Sequence, residues 1–236
     1  MIPYDTLIII ALCGLIHASF QLSVSMLTLL SGHAIGAGRR QRTLMALTHS
    51  FTWGALTMTT LLVATAAYLA TTWWGTRVPS GAWAAICGVL GGLGLAVWAF
   101  YYRRSPGTTL WLPRGAASFL SRRAKATDNA AEAFSLGLVS VLSELLFVIG
   151  PVTAAALSMI TLTPGWQMIA LGLYAITATS SLIIVNALIG SGHKISHIQA
   201  WREHNKQFLQ FIAGAALVVL AIYLYSDVAA ASIGVS

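Results

Sequence analysis

Charged residues are scarce in this sequence. Of its 236 residues only 8% are Asp, Glu, Lys or Arg, whereas 57% are hydrophobic, and the mean hydropathy is +0.79. A soluble domain does not need so much apolar sequence, and long runs without charge are typical of membrane helices. The composition therefore excludes an ordinary soluble protein and predicts an all-α, polytopic membrane protein.

Cysteine is equally scarce. Cys13 and Cys87 both lie inside apolar runs and lack the CxxC spacing of redox or metal motifs. We interpret them as small packing residues. The first residues also lack the basic segment of a secretory signal, which predicts that the first apolar run is retained as a membrane span.

Six apolar runs are long enough to cross a bilayer. They cover residues 6–30, 44–71, 82–102, 133–160, 167–189 and 208–225.

Basic residues are concentrated on alternate loops. The loops after spans one, three and five hold 12 of the 13 Lys and Arg residues. Because basic loops stay in the cytoplasm, this pattern predicts a multi-pass protein of the plasma (inner) membrane with both termini outside. The net charge of +7 is then a feature of topology and of contact with lipid headgroups, and no nucleic-acid partner is expected.

The two halves of the chain resemble each other at a nearly constant offset. GLIHASFQL in span one aligns with GLVSVLSEL in span four at an offset of 123, and the later spans align at 122. The aligned polar pairs are His17 with Ser140, Gln21 with Glu144, Thr57 with Thr179, and Thr59 with Ser181.

A duplicated unit of three helices has a geometric consequence. The second copy enters the membrane from the opposite side, so the sequence predicts two inverted three-helix repeats, a common architecture of alternating-access transporters. We assign residues 1–105 to the first repeat and 133–236 to the second. Residues 106–132 form a cytoplasmic linker with interleaved arginine and apolar residues, which suits a segment on the headgroups; a flexible linker remains the alternative.

Span four carries the clearest candidate site. Glu144 lies deep within an apolar run, where an ionised carboxylate costs several kcal/mol unless it is paired or protonated. Ser140 and Ser143 flank it, and the proline of Gly150-Pro151 predicts a kink or break. The alternative is a packing kink beside a neutral acid that is bonded to a neighbouring helix.

Other polar groups inside the spans complete the candidate set. In the repeat, Gln21 corresponds to Glu144, and His17 lies one turn before Gln21. We include these as substrate or coupling residues, together with Ser140, Ser143, Pro151, Thr57, Thr179, Ser181 and Asn186. Hydroxyl groups that bond their own helix remain the alternative for the threonines and serines.

No cofactor or metal is predicted. His193 and His197 are four residues apart in HKISH, but no carboxylate or cysteine stands at a matching spacing. Apart from Glu144, the spans also lack a cluster of nucleophile and base, so we do not expect an enzyme.

Three features carry a family resemblance: a glycine-containing first helix in each half, the run GPVTAAAL, and the closing segment HNKQFLQFIAGAALVVLAIYLY. In these the sequence resembles the LysE-type transporter superfamily, which is built from two three-helix repeats. That superfamily includes amino-acid exporters, metal exporters and the CcdA/DsbD thiol–disulfide carriers. The carriers have one cysteine in the first helix of each half, whereas Cys13 has no counterpart in span four.

Two functions follow as hypotheses. The first is a secondary transporter or exporter of a small solute or cation, proton-coupled through Glu144. The alternative is a non-transporting membrane subunit, or a cysteine-poor relative of the thiol–disulfide carriers. The expected partners are the lipid bilayer, a small solute or ion, and a second copy or a membrane complex.

Overall fold

The computed structural model describes residues 3–20, 22–36, 38, 40–101, 114–192 and 195–233, and every regular element in these ranges is helical. The helices are α1 (Pro3–Ser19), α2 (Leu22–Gly36), α3 (Gln41–Trp74), α4 (Ser80–Ala96), α5 (Arg114–Ala126), α6 (Ala130–Ser143), α7 (Leu145–Met159), α8 (Pro164–Ala178), α9 (Ser180–Gly190), α10 (Ile195–His204) and α11 (Lys206–Ile233). A π-helical turn, Val97–Tyr101, extends α4.

Between three and six segments can cross a membrane. Gln41–Trp74, Ser80–Phe100 and Gln207–Asp227 are long and apolar enough as single helices. The pairs α1–α2, α6–α7 and α8–α9 pass the same test only when each bent pair counts as one span. The predicted all-helical class is therefore confirmed, the helices are compatible with a membrane protein, and three of the predicted spans are interrupted rather than continuous.

The sharpest interruption lies at Glu144. Here α6 and α7 meet at a bend of 81°. The Glu144 N–H bonds the Val141 carbonyl at 3.0 Å, and the Glu144 carbonyl accepts the Phe147 N–H at 2.8 Å. Glu144 thus ends one helix and caps the next in a tight turn.

The sequence predicted a kink or break at Gly150-Pro151, and no break occurs there. α7 continues through Gly150 and Pro151, and the chain turns at Glu144 instead. Proline removes only one hydrogen bond from a helix and leaves the rest of its ladder intact. At Gly150 an added Cβ would lie 2.9 Å from Leu90 Cδ2, so the glycine serves close packing of α7 on α4.

A similar turn separates α8 from α9. The two helices meet at 53°, and Thr179 is the residue between them. Its hydroxyl donates to the Ala175 carbonyl at 2.7 Å, which ties the side chain to the helix that it ends. This interruption contains neither glycine nor proline and was not predicted.

Helices α3 and α6 cross at two glycines. A Cβ at Gly137 would overlap the Phe51 carbonyl oxygen, and a Cβ at Gly54 would overlap the Phe134 carbonyl oxygen. The backbones therefore touch on both sides of the crossing, as in close helix packing within membranes. This crossing holds α6 in place just before the turn at Glu144.

Part of the linker folds as an amphipathic helix. In α5 the side chains of Leu120 and Ala124 are fully buried and join a core cluster with Leu136 of α6 and Leu27 of α2. Arg122, Arg123 and Lys125 are exposed. Residues 114–126 are thus a packed helix, not a flexible tether.

Candidate functional site

The Glu144 side chain binds the beginning of another helix. Only 3% of its surface is exposed, and Oε1 accepts a hydrogen bond from the Ser23 hydroxyl at 2.8 Å. The same oxygen accepts the backbone N–H of Ser23. Ser23 lies in the first turn of α2, so the carboxyl group from the second half of the chain caps a helix from the first half.

Both partners gain from this contact. The first N–H groups of a helix have no partner within it, and the helix dipole favours negative charge at that end. A carboxylate in an apolar interior needs donors to offset its lost hydration. The contact therefore gives the Ser23 N–H, which has no partner within α2, an acceptor, and gives the buried carboxyl group two donors.

Ser140 extends this contact by one group. Its hydroxyl lies 3.2 Å from the Ser23 hydroxyl and 2.8 Å from the Gly137 carbonyl oxygen. Ser140 is fully buried and lies one turn before Glu144 on α6. Ser140, Ser23 and Glu144 form a short polar chain, which we call the Ser–Glu cluster.

A second buried polar pair joins α1 to α8. His17 Nδ1 is 3.0 Å from the Tyr174 hydroxyl of α8, and both side chains are at most 3% exposed. Either group can be the donor, because the choice follows the histidine tautomer. The pair joins α1 to α8 with a hydrogen bond that has no access to bulk water.

Tyr174→Phe is expected to destabilise the protein, because it removes the His17 partner and leaves a buried polar ring unpaired. The loss should be about 1–3 kcal/mol, which corresponds to a melting temperature lower by several degrees. Thermal unfolding in mild detergent, followed by tryptophan fluorescence, measures it. Tyr68→Phe is the control, since Tyr68 is 70% exposed; equal melting of the Tyr174 variant and the wild type would contradict the pairing.

Two aromatic rings stack beside the breaks. Phe20 follows α1 directly, and Phe147 lies in the first turn of α7. Their ring centroids are 5.5 Å apart with an interplanar angle of 21°. This stack is an apolar contact between the two interrupted segments.

The predicted site residues do not all converge. Glu144 and Ser140 belong to the Ser–Glu cluster, whereas His17 contacts Tyr174. The Ser143 and Thr57 hydroxyls donate to carbonyls of their own helices, those of Val139 at 2.9 Å and Trp53 at 2.8 Å. For these two residues the alternative interpretation applies, in which each hydroxyl bonds a carbonyl of its own helix.

The remaining predicted residues are spread along α7 and α9. Pro151 is buried within α7, Thr179 forms the second turn, and Ser181 is half-buried in the first turn of α9. Asn186 is 8% exposed, and its Oδ1 has no hydrogen-bond partner within the part of the chain that the structure describes. Gln21 and His193 lie outside the described residues.

Sequence reasoning missed Ser23 and Tyr174. No glycine or proline stands just before Ser23 in the sequence. Nothing in the local sequence therefore indicates that a helix begins beside it. Tyr174 carries only a weak signal: it is a tyrosine inside an apolar run, and a buried tyrosine hydroxyl usually has a polar partner.

Cys13 and Cys87 are free and buried. This agrees with their interpretation as packing residues.

Comparison of the chain with protein-family models, with curated proteins and with solved structures gives no match.

Proposed function

We propose that this protein is a six-span membrane transporter of a small solute or cation, coupled to protons through Glu144. The observation that carries this proposal is the buried Glu144 carboxyl group at an 81° helix break, bonded to the start of α2. Acids inside membrane segments are rare and mark ion pathways and proton relays, so a functional site is the default hypothesis for Glu144. Interrupted helices are the usual framework of such sites.

The mechanism follows from the Ser23 contact. An ionised Glu144 attracts the positive end of α2, and a protonated one attracts it less. Proton binding therefore weakens one contact between the two halves of the chain. A solute or cation that interacts with only one protonation state would link its own binding to this change, which is the thermodynamic requirement for coupling.

The glycine contacts support an inverted repeat. Gly137 lies against Phe51 and Ala55, while Gly14 lies against Tyr174 and Thr177. Offsets of 122 or 123 residues relate each member of the first set to a member of the second. The first helix of each proposed repeat thus packs on the second helix of the other in the same manner, which is what a pseudo-two-fold axis would produce.

The proposed topology has a direct test. In a background without Cys13 and Cys87, cysteines at Thr76 and Gly165 are expected to react with an impermeant maleimide from outside intact cells. Cysteines at Ala131 and Ala200 are expected to react only after permeabilisation, because their loops carry the basic residues. All four positions are exposed. Labelling of Ala131→Cys in intact cells would contradict both the orientation and the inverted repeat.

Transport itself is tested by flux. Proteoliposomes with an entrapped pH indicator are challenged with a panel of amino acids and of monovalent and divalent cations. The wild type is expected to move protons in response to at least one of them, and a wild type that responds to none would contradict the proposal. We also propose, from the sequence resemblance alone, a relationship to the LysE-type superfamily.

A further inference from the structure

A cleft of about 330 Å³ lies between α5 and α6, away from the Ser–Glu cluster. This volume is at the lower end of the range of small-molecule sites, about 300–1,000 Å³. The cleft is lined by Phe119, Leu120, Arg123, Thr127, Ala131, Glu132, Ser135, Leu136 and Val139.

One end of the cleft is polar and includes Arg123. Within the described residues, nothing forms an ion pair or hydrogen bond with the Arg123 guanidinium. The carboxylate in the lining, Glu132, accepts the Asp128 N–H through Oε2 at 3.0 Å and forms no ion pair with Arg123. The Thr127 hydroxyl donates to the Arg123 carbonyl at 2.7 Å. Arg123 is therefore the available group for an anion.

The other end is apolar. Phe119 is 52% exposed and Val139 is 40% exposed, and both line the cleft. Val139 lies on α6, which belongs to a candidate membrane span. The cleft thus joins a cationic group to the exposed apolar surface of a candidate membrane span.

We propose that this cleft binds one phospholipid with an anionic headgroup, whose phosphate contacts Arg123 and whose upper acyl chain lies on Phe119 and Val139. Charge complementarity decides the occupant. Arg122, Arg123 and Lys125 are all exposed on α5, so this end of the helix attracts negative headgroups. A guanidinium also matches a phosphate in geometry and forms paired, charge-assisted hydrogen bonds.

Binding of the lipid also has a structural consequence. Buried contacts of Leu120 and Ala124 fix α5 against α2 and α6. A lipid that fills the gap between Arg123 and Val139 would add contacts across the same junction. The lipid is therefore expected to stabilise the attachment of the linker helix to the membrane-spanning helices.

Native mass spectrometry of the purified full chain in detergent tests this, with phosphatidylglycerol or phosphatidylcholine titrated in. The wild type is expected to bind one phosphatidylglycerol at least tenfold more tightly than phosphatidylcholine. Arg123→Gln should weaken that binding about tenfold, the effect of losing one charge-assisted contact. Arg122→Gln, which removes the same charge from a neighbour outside the cleft, should weaken it by less than about twofold.

A second pair of variants tests the apolar end without changing charge. Val139→Trp fills the cleft and should abolish the bound lipid. Leu142→Trp is the control, because Leu142 is 44% exposed on the same helix and does not line the cleft. Melting curves of all four variants report whether each one is folded.

Three results would overturn the proposal. Equal losses in Arg122→Gln and Arg123→Gln would mean that the basic helix attracts lipid without a defined site. If Val139→Trp binds phosphatidylglycerol as tightly as the wild type does, the cleft is not the lipid site. If inorganic phosphate raises the melting temperature of the wild type as much as phosphatidylglycerol does, and no lipid stays bound, the cleft is a simple anion site.

Discussion

Glu144→Gln is expected to abolish solute-driven proton movement and to leave the fold intact. Glutamine has the size of glutamate, and its amide oxygen can accept the same two hydrogen bonds from Ser23. What the variant loses is the charge and the ability to bind and release a proton. Loss of the charge weakens the attraction to the start of α2 but also removes the cost of a buried carboxylate, so the melting temperature should stay within a few degrees of the wild type.

The measurement is the proteoliposome assay with the pH indicator, using a solute that drives protons in the wild type. The expected signal of Glu144→Gln is that of empty liposomes. Glu203→Gln is the matched control, since Glu203 is exposed near the end of α10 and the charge change is identical. Circular dichroism and detergent melting show whether both variants are folded.

One outcome decides against a coupling role. If Glu144→Gln moves the solute at the wild-type rate with the wild-type pH profile, Glu144 is a structural acid. Its contact with Ser23 would then only cap α2. The packing interpretation of the break, in which the acid is bonded to a neighbouring helix, would apply.

The sequence predicted the candidate membrane spans because the hydropathy signal is additive. Each of the 18 or more residues in a span contributes to the hydropathy, so a single polar side chain does not hide it. Residues 44–71 lie within the uninterrupted helix α3, and residues 208–225 lie within α11. Glu144 was equally visible, since an acid in such a run is rare.

The turns inside the spans were not visible, and the reason is physical. The chain turns at Glu144 and at Thr179, where the sequence has no helix breaker, and it continues through Pro151, where it has one. At Glu144 the turn places the side chain against the start of α2, where Ser23, 121 residues away in the chain, donates to it. A local pattern carries no information about such a partner.

Glycine patterns predict close packing but not its partner. The glycines of the two aligned segments, Gly14 and Gly137, mark the first helix of each half in the sequence. The structure adds what each one contacts: Gly137 lies on Phe51 and Ala55 of α3, and Gly14 lies on Tyr174 and Thr177 of α8. The alignment of the two halves is therefore most informative where it is combined with these contacts.

Gly137→Ala is expected to cause a large loss of stability. An added Cβ would overlap the Phe51 carbonyl oxygen and approach the Ala55 nitrogen to 2.9 Å. Both are backbone atoms, which cannot rotate away as a side chain could, so α3 and α6 must separate. Overpacking of this kind costs about 1–3 kcal/mol, and the rigid contact favours the upper end. For a chain of this size that corresponds to a melting temperature lower by roughly 6–12 °C.

The control for this effect is Gly172→Ala on α8. Nothing lies within 4 Å of a Cβ at that position, so the variant tests helix propensity alone. Alanine is the better helix former, and Gly172→Ala should melt at or slightly above the wild-type temperature.

Gly54→Ala, on the other side of the same crossing, should repeat the loss, because its Cβ would overlap the Phe134 carbonyl oxygen. Since α6 ends at the Ser–Glu cluster, separation of α3 and α6 should also lower the solute-driven proton flux. Wild-type melting in both Gly137→Ala and Gly54→Ala would mean that the two helices do not approach as closely as described.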